Sequence, residues 1–435
     1  MRVIYFLIIL LISLQTYSIY AQQNHPLAKL WGINDAEVPE WLDAENHLKK
    51  IDRILRPILA EDNLFSSFGG TFIDIFQNWL VVNTVDYSKV EELLALPEIS
   101  PYNESLHFEN VTDSIEQLKS SFRNITLLAD SKGVRGALIY INMELNNIVI
   151  YFFETNINHT EFINAVEPFN PEIIYANTQS ASQNIIRPRR RDVNSRDLVV
   201  NVFGGDGVYN EAGGGVMCSI GCWLKHQQHL RNDFYITTAG HCYDNGEIPD
   251  ENYFYYTPWN SDSHVLPIGS IEFQSNGFYD FAIIRVENED LNPQFVIRND
   301  DADQYRELII INGTINDTIN DAIISSHYAH ICKSGVITHL TCGYVLGFDG
   351  VFYGIEKNYI VFELIVTDLY GLLGDAGGSV FSFASPDNLL AVDVHGTVVT
   401  VGPGICAVQS LDTILDFMRD RIGIFQDLIV YVEGS

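Results

Sequence analysis

Basic residues are scarce in this chain: 25 Lys and Arg stand against 56 Asp and Glu, a net charge of −31. Phosphates are held by clustered cations, so nucleic acid and anionic membrane are excluded as partners. Cysteine is missing from the whole first half. The six present, Cys218, Cys222, Cys242, Cys332, Cys342 and Cys406, all lie in the second, which points to one unit that carries disulfides preceded by one that needs none. No run reaches about 18 uninterrupted apolar residues, the length needed to cross a bilayer. Phosphate-loop and metal signals are absent as well. Gly204-Gly-Asp-Gly and Gly213-Gly-Gly are followed by no helix start and read as strand-edge turns. His226-Gln-Gln-His229 lacks a third ligand and reads as a surface loop. Asn299-Asp-Asp-Ala-Asp303 lacks calcium-loop spacing and reads as a solvated linker. No metal and no cofactor is expected.

The chain does have length and apolar content: 435 residues, 47% hydrophobic, enough for two or three domains with ordinary cores. Residues 1–21 carry Arg2, an apolar run from Val3 to Leu14 and a polar stretch closing on Ala21. This is the layout of a cleaved secretory signal, although an uncleaved signal anchor has the same pattern. The expected product is secreted, extracellular and free of the membrane once the signal is cut. Six Asn-x-Ser/Thr triplets, at Asn103, Asn110, Asn124, Asn158, Asn312 and Asn316, are candidate glycosylation sites, and such triplets also arise by chance in Asn-rich chains.

Residues 22–191 read as an α+β unit. Leu48–Leu59, Val90–Leu96 and Asp113–Phe122 are patterned as amphipathic helices, and Gly70–Ile75, Asn78–Asn83, Gly136–Asn142 and Asn147–Phe153 as strands. A polar stretch from Asn177 to Arg196 without periodicity contains Arg187-Pro-Arg-Arg-Arg191, the densest basic run in the chain. Exposed linkers are where proteases cut, and Arg189, Arg190 and Arg191 suit a processing protease of the kexin type; a merely solvated linker is the other reading. Residues 192–435 change to short apolar and β-branched runs broken by Gly, Asn and Asp, the pattern of a barrel or sandwich. Helical spacing returns only at Leu411–Ile422.

Three segments carry chemistry, in the order base, acid, nucleophile. They are Thr238-Ala-Gly-His-Cys242, Gly277-Phe-Tyr-Asp-Phe-Ala-Ile-Ile284 and Gly374-Asp-Ala-Gly-Gly378. Alone, each is weak. Together the chain resembles the chymotrypsin-like serine proteases, and within them the α-lytic protease and streptogrisin group, whose propeptides resemble Gly69–Asp74 followed by Trp79–Asn83, with Leu138–Asn142 and Asn147–Ile150 echoing the same hairpin. The resemblance implies a mainly β protein of two six-stranded antiparallel barrels with a C-terminal helix, divided near residues 295–305 and preceded by a pro-domain. It places His241 as general base and Asp280 as the buried acid that orients it. Gly374 and residue 376 supply the oxyanion-hole N–H groups. It also implies the disulfides Cys218–Cys242 and Cys332–Cys342, while Tyr370 occupies the slot of a third bridge, leaving open whether Cys222 and Cys406 join.

The departure is at Ala376, where the family has its serine. A methyl group has no lone pair and no proton to give up, so it forms no acyl-enzyme. Ser379 is expected to point away from His241. The resemblance also aligns His395-Gly396 with a Ser-Gly pair whose serine supports the buried acid, so His395 is expected beside Asp280. Leu372, Leu373 and Thr397 to Gly404 would line the specificity pocket without a pattern that names a substrate. The expected function is a catalytically impaired homologue that binds a peptide or protein, protease inhibitors included, and recruits a processing protease. The alternatives are a working endopeptidase in which Ala376 is a variant, and a purely structural extracellular protein.

Overall fold

The structure is a computed structural model that describes residues 24–61, 63–176, 199–210, 215–227, 233–243, 253–260, 266–299, 304–313, 326–356, 359–421 and 427–434. The signal segment 1–21, the arginine run with Arg189, Arg190 and Arg191, Asn316, His229 and Gly213 lie outside the described residues.

The N-terminal unit opens with a short helix, Pro26–Trp31, then the long helix Val38–Leu59, entered through Pro39 in its first turn. This helix begins well before Leu48, with Val38 and Leu42 on the same buried face as Leu48, Ile51, Leu55 and Leu59; the buried Glu45 between them interrupts the apolar stripe that periodicity detects. The helix Ile115–Lys132 starts in a Ser114/Gln117 capping box and stops at Gly133 in the left-handed conformation. It runs past Phe122 because Ile125 and Ala129 continue its buried face. The helix after residue 90 ends at Leu94, short of Leu96. Strands β1 (Phe68–Asp74), β2 (Trp79–Thr84) and β3 (Leu106–Asn110) form one sheet, and β4 (Ala137–Asn142), β5 (Asn147–Phe152) and β6 (Glu172–Tyr175) begin a second.

Strand β7 (Val200–Gly204) leads into the first barrel: β8 (Gly207–Asn210), β9 (Val216–Ser219), β10 (Trp223–His226), β11 (Phe234–Thr238), β12 (Tyr253–Thr257), β13 (Leu266–Asn276) and β14 (Asp280–Arg285). β9 and β10 are two halves of one strand bent at Ile220–Cys222. One half pairs with β8, the other with β11, and the antiparallel ring closes through β14, β13 and β12. Its interior holds Val208, Cys218, Ile220, Trp223, Ile236, Phe254, Ile268 and Ile284.

The connection to the second barrel is itself pleated. β15 (Leu291–Arg298) pairs with β7, and β16 (Glu307–Asn312) with β21 (Asn388–Gly402) of the second barrel. Asn299, read from sequence as the start of a solvated linker, is buried, with its N–H on the Arg306 carbonyl. The second barrel comprises β17 (His330–Gly335), β18 (His339–Tyr353), β19 (Ile360–Thr367), β20 (Ser379–Ser385), β21 (Asn388–Gly402) and β22 (Ile405–Ser410). These six close an antiparallel ring in the order β17, β18, β19, β22, β21, β20. The helix Leu411–Arg421 follows, and β23 (Leu428–Val430) returns to pair with β10. Closure leaves neither barrel an exposed edge, which accounts for the many short strands. His226, expected in a surface loop, is instead the buried last residue of β10, bonded through Nδ1 to Asp427.

The N-terminal unit and the second barrel share both sheet and core. β4 pairs antiparallel with the far end of β18, Ala137 opposite Tyr353. One apolar cluster runs from Leu42 and Leu55 through Phe381, Phe383 and Val392 to Leu411 and Met418. Within it, the buried Glu45 carboxylate accepts from the His330 N–H at 2.8 Å and from His330 Nδ1 at 2.5 Å, while Phe383 N–H donates to His330 Nε2. The disulfides Cys218–Cys242 and Cys332–Cys342 are formed. Cys222 and Cys406 are separate buried thiols, in different clusters, and do not join. Among the described residues no helix is long and apolar enough to cross a membrane.

Candidate active site

His241 sits on a single 3-10 turn, Gly240–Cys242, directly after β11. Gly240 is required there: a Cβ would lie 2.0 Å from the Ser275 carbonyl oxygen. The Cys218–Cys242 disulfide ties the turn to β9. Asp280, the first residue of β14, is fully buried and aligned with that turn. It accepts from the His241 N–H at 2.9 Å through Oδ1 and from Nδ1 at 2.6 Å through Oδ2. A carboxylate only accepts, so Nδ1 carries the proton and Nε2 is the atom left for the cleft. Burial disfavours charge on both groups, but attraction and hydrogen bonding between them prevail, holding the His241 pKa above and the Asp280 pKa below their ordinary values.

Asp280 has two further partners that sequence reasoning missed. Tyr359 Oη donates to Oδ2 at 2.5 Å, and Gln409 Oε1 receives the Asp280 N–H at 3.2 Å. Tyr359 stands in the turn between β18 and β19, where no periodicity or motif marks it. His395 does not take the place expected of it. It lies on β21 and hydrogen-bonds Ser382 Oγ at 2.7 Å through Nε2; strand register decides this, because β21 pairs with β20.

The segment from Gly371 to Gly378 is shaped by a second buried carboxylate. Asp375 Oδ1 accepts from the N–H groups of Ile337 and Thr338, and Oδ2 from the Leu372 N–H and the Thr338 hydroxyl. Lys333 Nζ lies 3.3 Å from Oδ2, both side chains fully buried, and donates also to Thr338 Oγ1 and the His339 carbonyl. Lys333 directly follows Cys332, but nothing in the sequence distinguishes it from a solvated lysine. Gly377 has φ +83°, and a Cβ there would meet Thr238 Oγ1 at 2.1 Å.

Ala376 packs in the apolar cluster that contains Ala239 and Cys242, the neighbours of His241. Its carbonyl accepts from the Ser219 N–H, and the Gly374 carbonyl accepts from the Ser219 hydroxyl. Among the described residues, the N–H groups of Gly374 and Ala376 donate to nothing. Nearby hydroxyls are spoken for. Ser379 donates to the Gly221 carbonyl, Thr238 to the Ser219 carbonyl and Thr237 to the Cys222 carbonyl. Among the described residues no hydroxyl hydrogen-bonds His241. The arrangement can hold an imidazolium, move a proton at Nε2 and donate two N–H bonds to an oxygen. Among the described residues no nucleophilic oxygen or sulfur hydrogen-bonds the imidazole. Around it, Leu373, Tyr370 and Ile337 present exposed apolar side chains.

Solved structures share this architecture at a match probability of 1.00. Thermobifida fusca protease A aligns with a TM-score of 0.38 and 16% identity over 54% of this chain and 100% of that one. A Cellulomonas bogoriensis chymotrypsin gives 0.36 and 20% over 54% and 100%, and the α-lytic protease homologue N4 gives 0.35 and 18% over 50% and 96%. What the barrels and their cleft define is the chymotrypsin-like serine-protease fold, preceded by an α+β unit. At these identities and TM-scores the likeness carries no argument about activity. No family model matches the chain, and no curated protein matches it.

Proposed function

We propose that the protein is a secreted, catalytically silent homologue of chymotrypsin-like proteases that holds peptide or protein segments in its cleft without cutting them. The observation that carries this reading is Ala376 beside an assembled His241–Asp280 pair, with the Gly374 and Ala376 N–H groups free to donate among the described residues. A serine peptidase that loses its nucleophile loses about a millionfold in turnover yet keeps the binding and oxyanion contributions. Secretion is supported by the layout of residues 1–21, by two disulfides, and by the exposure of Asn103, Asn110, Asn124 and Asn158. Arg189, Arg190 and Arg191 supply a site for an outside processing enzyme. Protease inhibitors, which fit such clefts, are candidate partners.

The test combines fluorophosphonate labelling with hydrolysis of a fluorogenic peptide panel. No labelling and no turnover by the natural protein, together with retention of peptides on the immobilised full chain, is the expected result. Labelling and robust turnover would overturn it. The intact dyad favours one second reading, a working endopeptidase in which Ala376 is a variant; serine at this position in the natural gene, read from genomic DNA, would decide for it.

A further inference from the structure

We propose that the cleft takes its peptide by the free C-terminal carboxylate, held between Nε2 of His241 and the N–H groups of Gly374 and Ala376. This rests on the reading that the cleft binds peptides without cutting them, and it names which peptides: those already cleaved.

A cleft built for an intact chain offers its donors to a neutral carbonyl oxygen and sets a hydroxyl between them and the imidazole. Here that hydroxyl is replaced by a methyl, which has no lone pairs to repel a second oxygen. Among the described residues the donors around it are unspent: two N–H groups pair with no acceptor, and His241 is engaged through Nδ1 and its backbone N–H alone. With Asp280 fixed on Nδ1 and the imidazole side chain 36% exposed, a protonated ring presents an N–H to the cleft. Three donors, one of them charged, suit an anion with two oxygens better than a carbonyl with one. Asp375, the carboxylate of the same turn, does not compete, because Lys333, Thr338 and three backbone N–H groups occupy it. Among the described residues, the titratable groups that face His241 are Asp280 from β14 and, through it, Tyr359 from the turn before β19. Together they keep the ring protonated to higher pH than a free histidine.

The test uses the full chain and three N-acetylated tetrapeptide mixtures, randomised in sequence: one ending in free acids, one in amides, and one of amides whose last residue is fixed as glutamate. The free acids are expected to bind at least tenfold more tightly than the random amides. Their advantage should fall as pH rises through the His241 pKa, and it should vanish in His241→Gln and shrink in Ala376→Ser. In the unmodified protein, the imidazole nitrogen resonances should report a rise in the His241 pKa with the acids and none with the amides. Equal binding of acids and random amides overturns the proposal while leaving the peptide-binding reading intact. Glutamate amides binding as tightly as the acids overturn the chain-end assignment. No retention of any mixture removes the binding reading and this inference with it.

Discussion

A buried carboxylate from each barrel stands at the candidate site, and the two are handled in opposite ways. Asp280 of the first barrel faces a titratable partner, His241, and through it reaches the solvent. Asp375, in the turn that enters the second barrel, faces inward to Lys333 and to the N–H groups that fold the 372–378 turn around it. The first arrangement leaves a titratable nitrogen open to the cleft, and the second holds backbone in place. The alanine at residue 376 touches neither carboxylate, so both arrangements stand without a hydroxyl at that position.

The widest test of this contrast is Ala376→Ser. Both carboxylates are already in place, so restoring the oxygen should raise hydrolysis of a fluorogenic peptide panel by roughly 10³-fold or more; a flat result in a folded, peptide-retaining variant would mean that the first barrel's dyad no longer works as a base. Lys333→Met comes next. It strands Asp375 without its cation, at a cost of about 3–5 kcal/mol in chemical denaturation, whereas a loss under 1 kcal/mol would show that the backbone N–H groups alone hold the turn.

Acid should act at a third place, the contact between the N-terminal unit and the second barrel. Burial lowers the pKa of His25 to about 4 and, with Arg56 adding repulsion, that of His327 to about 3. Folded, these rings stay neutral while the unfolded chain takes up protons near pH 6.5, so stability falls as pH drops from 6.5 towards 3. Glu45, held to about 2 by His330 and Lys49 against the effect of its burial, adds a further loss between pH 4.5 and 2. At about 1.4 kcal/mol per pKa unit, the melting temperature should decline steeply below pH 6, and His327→Phe should flatten part of that slope. For the dyad the signs are split. The raised His241 pKa means its contribution is full below pH 6.5 and fades as pH rises through the folded value; the lowered Asp280 pKa means its contribution fades only in acid.

Tyr359→Phe removes one donor to a buried charge and should cost about 1.5–3 kcal/mol. With Asp280 less satisfied, the His241 pKa should rise in a histidine titration by NMR; no movement would mark Tyr359 as packing alone. The smallest effect is expected at the two lone thiols. Burial pushes the pKa of both Cys222 and Cys406 up to about 12, so alkylation of the native protein should label neither and alkylation after unfolding without reductant should label two.

The motifs around His241 and the 374–378 turn were legible because each needs glycine, Gly240 for its approach to the Ser275 carbonyl and Gly374 and Gly377 for their positive φ; the Asp280 segment was legible only through its place between them. Both barrels were legible as runs of short strands, since closure demands frequent turns. The C-terminal helix and the N-terminal hairpins could be read from periodicity, but the start of Val38–Leu59 could not, because Glu45 lies on its buried face.

By itself the sequence determined the chemistry of one position: the methyl of Ala376 offers no oxygen to carry an acyl group, whatever the fold. Which groups support the dyad was decided only in three dimensions. Tyr359 reaches Asp280 across barrels, His395 is drawn to Ser382 by strand pairing, and Lys333 finds Asp375 in the interior. Those pairings join residues from separate strands, and burial makes them binding. A buried charge must find its partner wherever the strands bring one, and sequence spacing does not record that meeting.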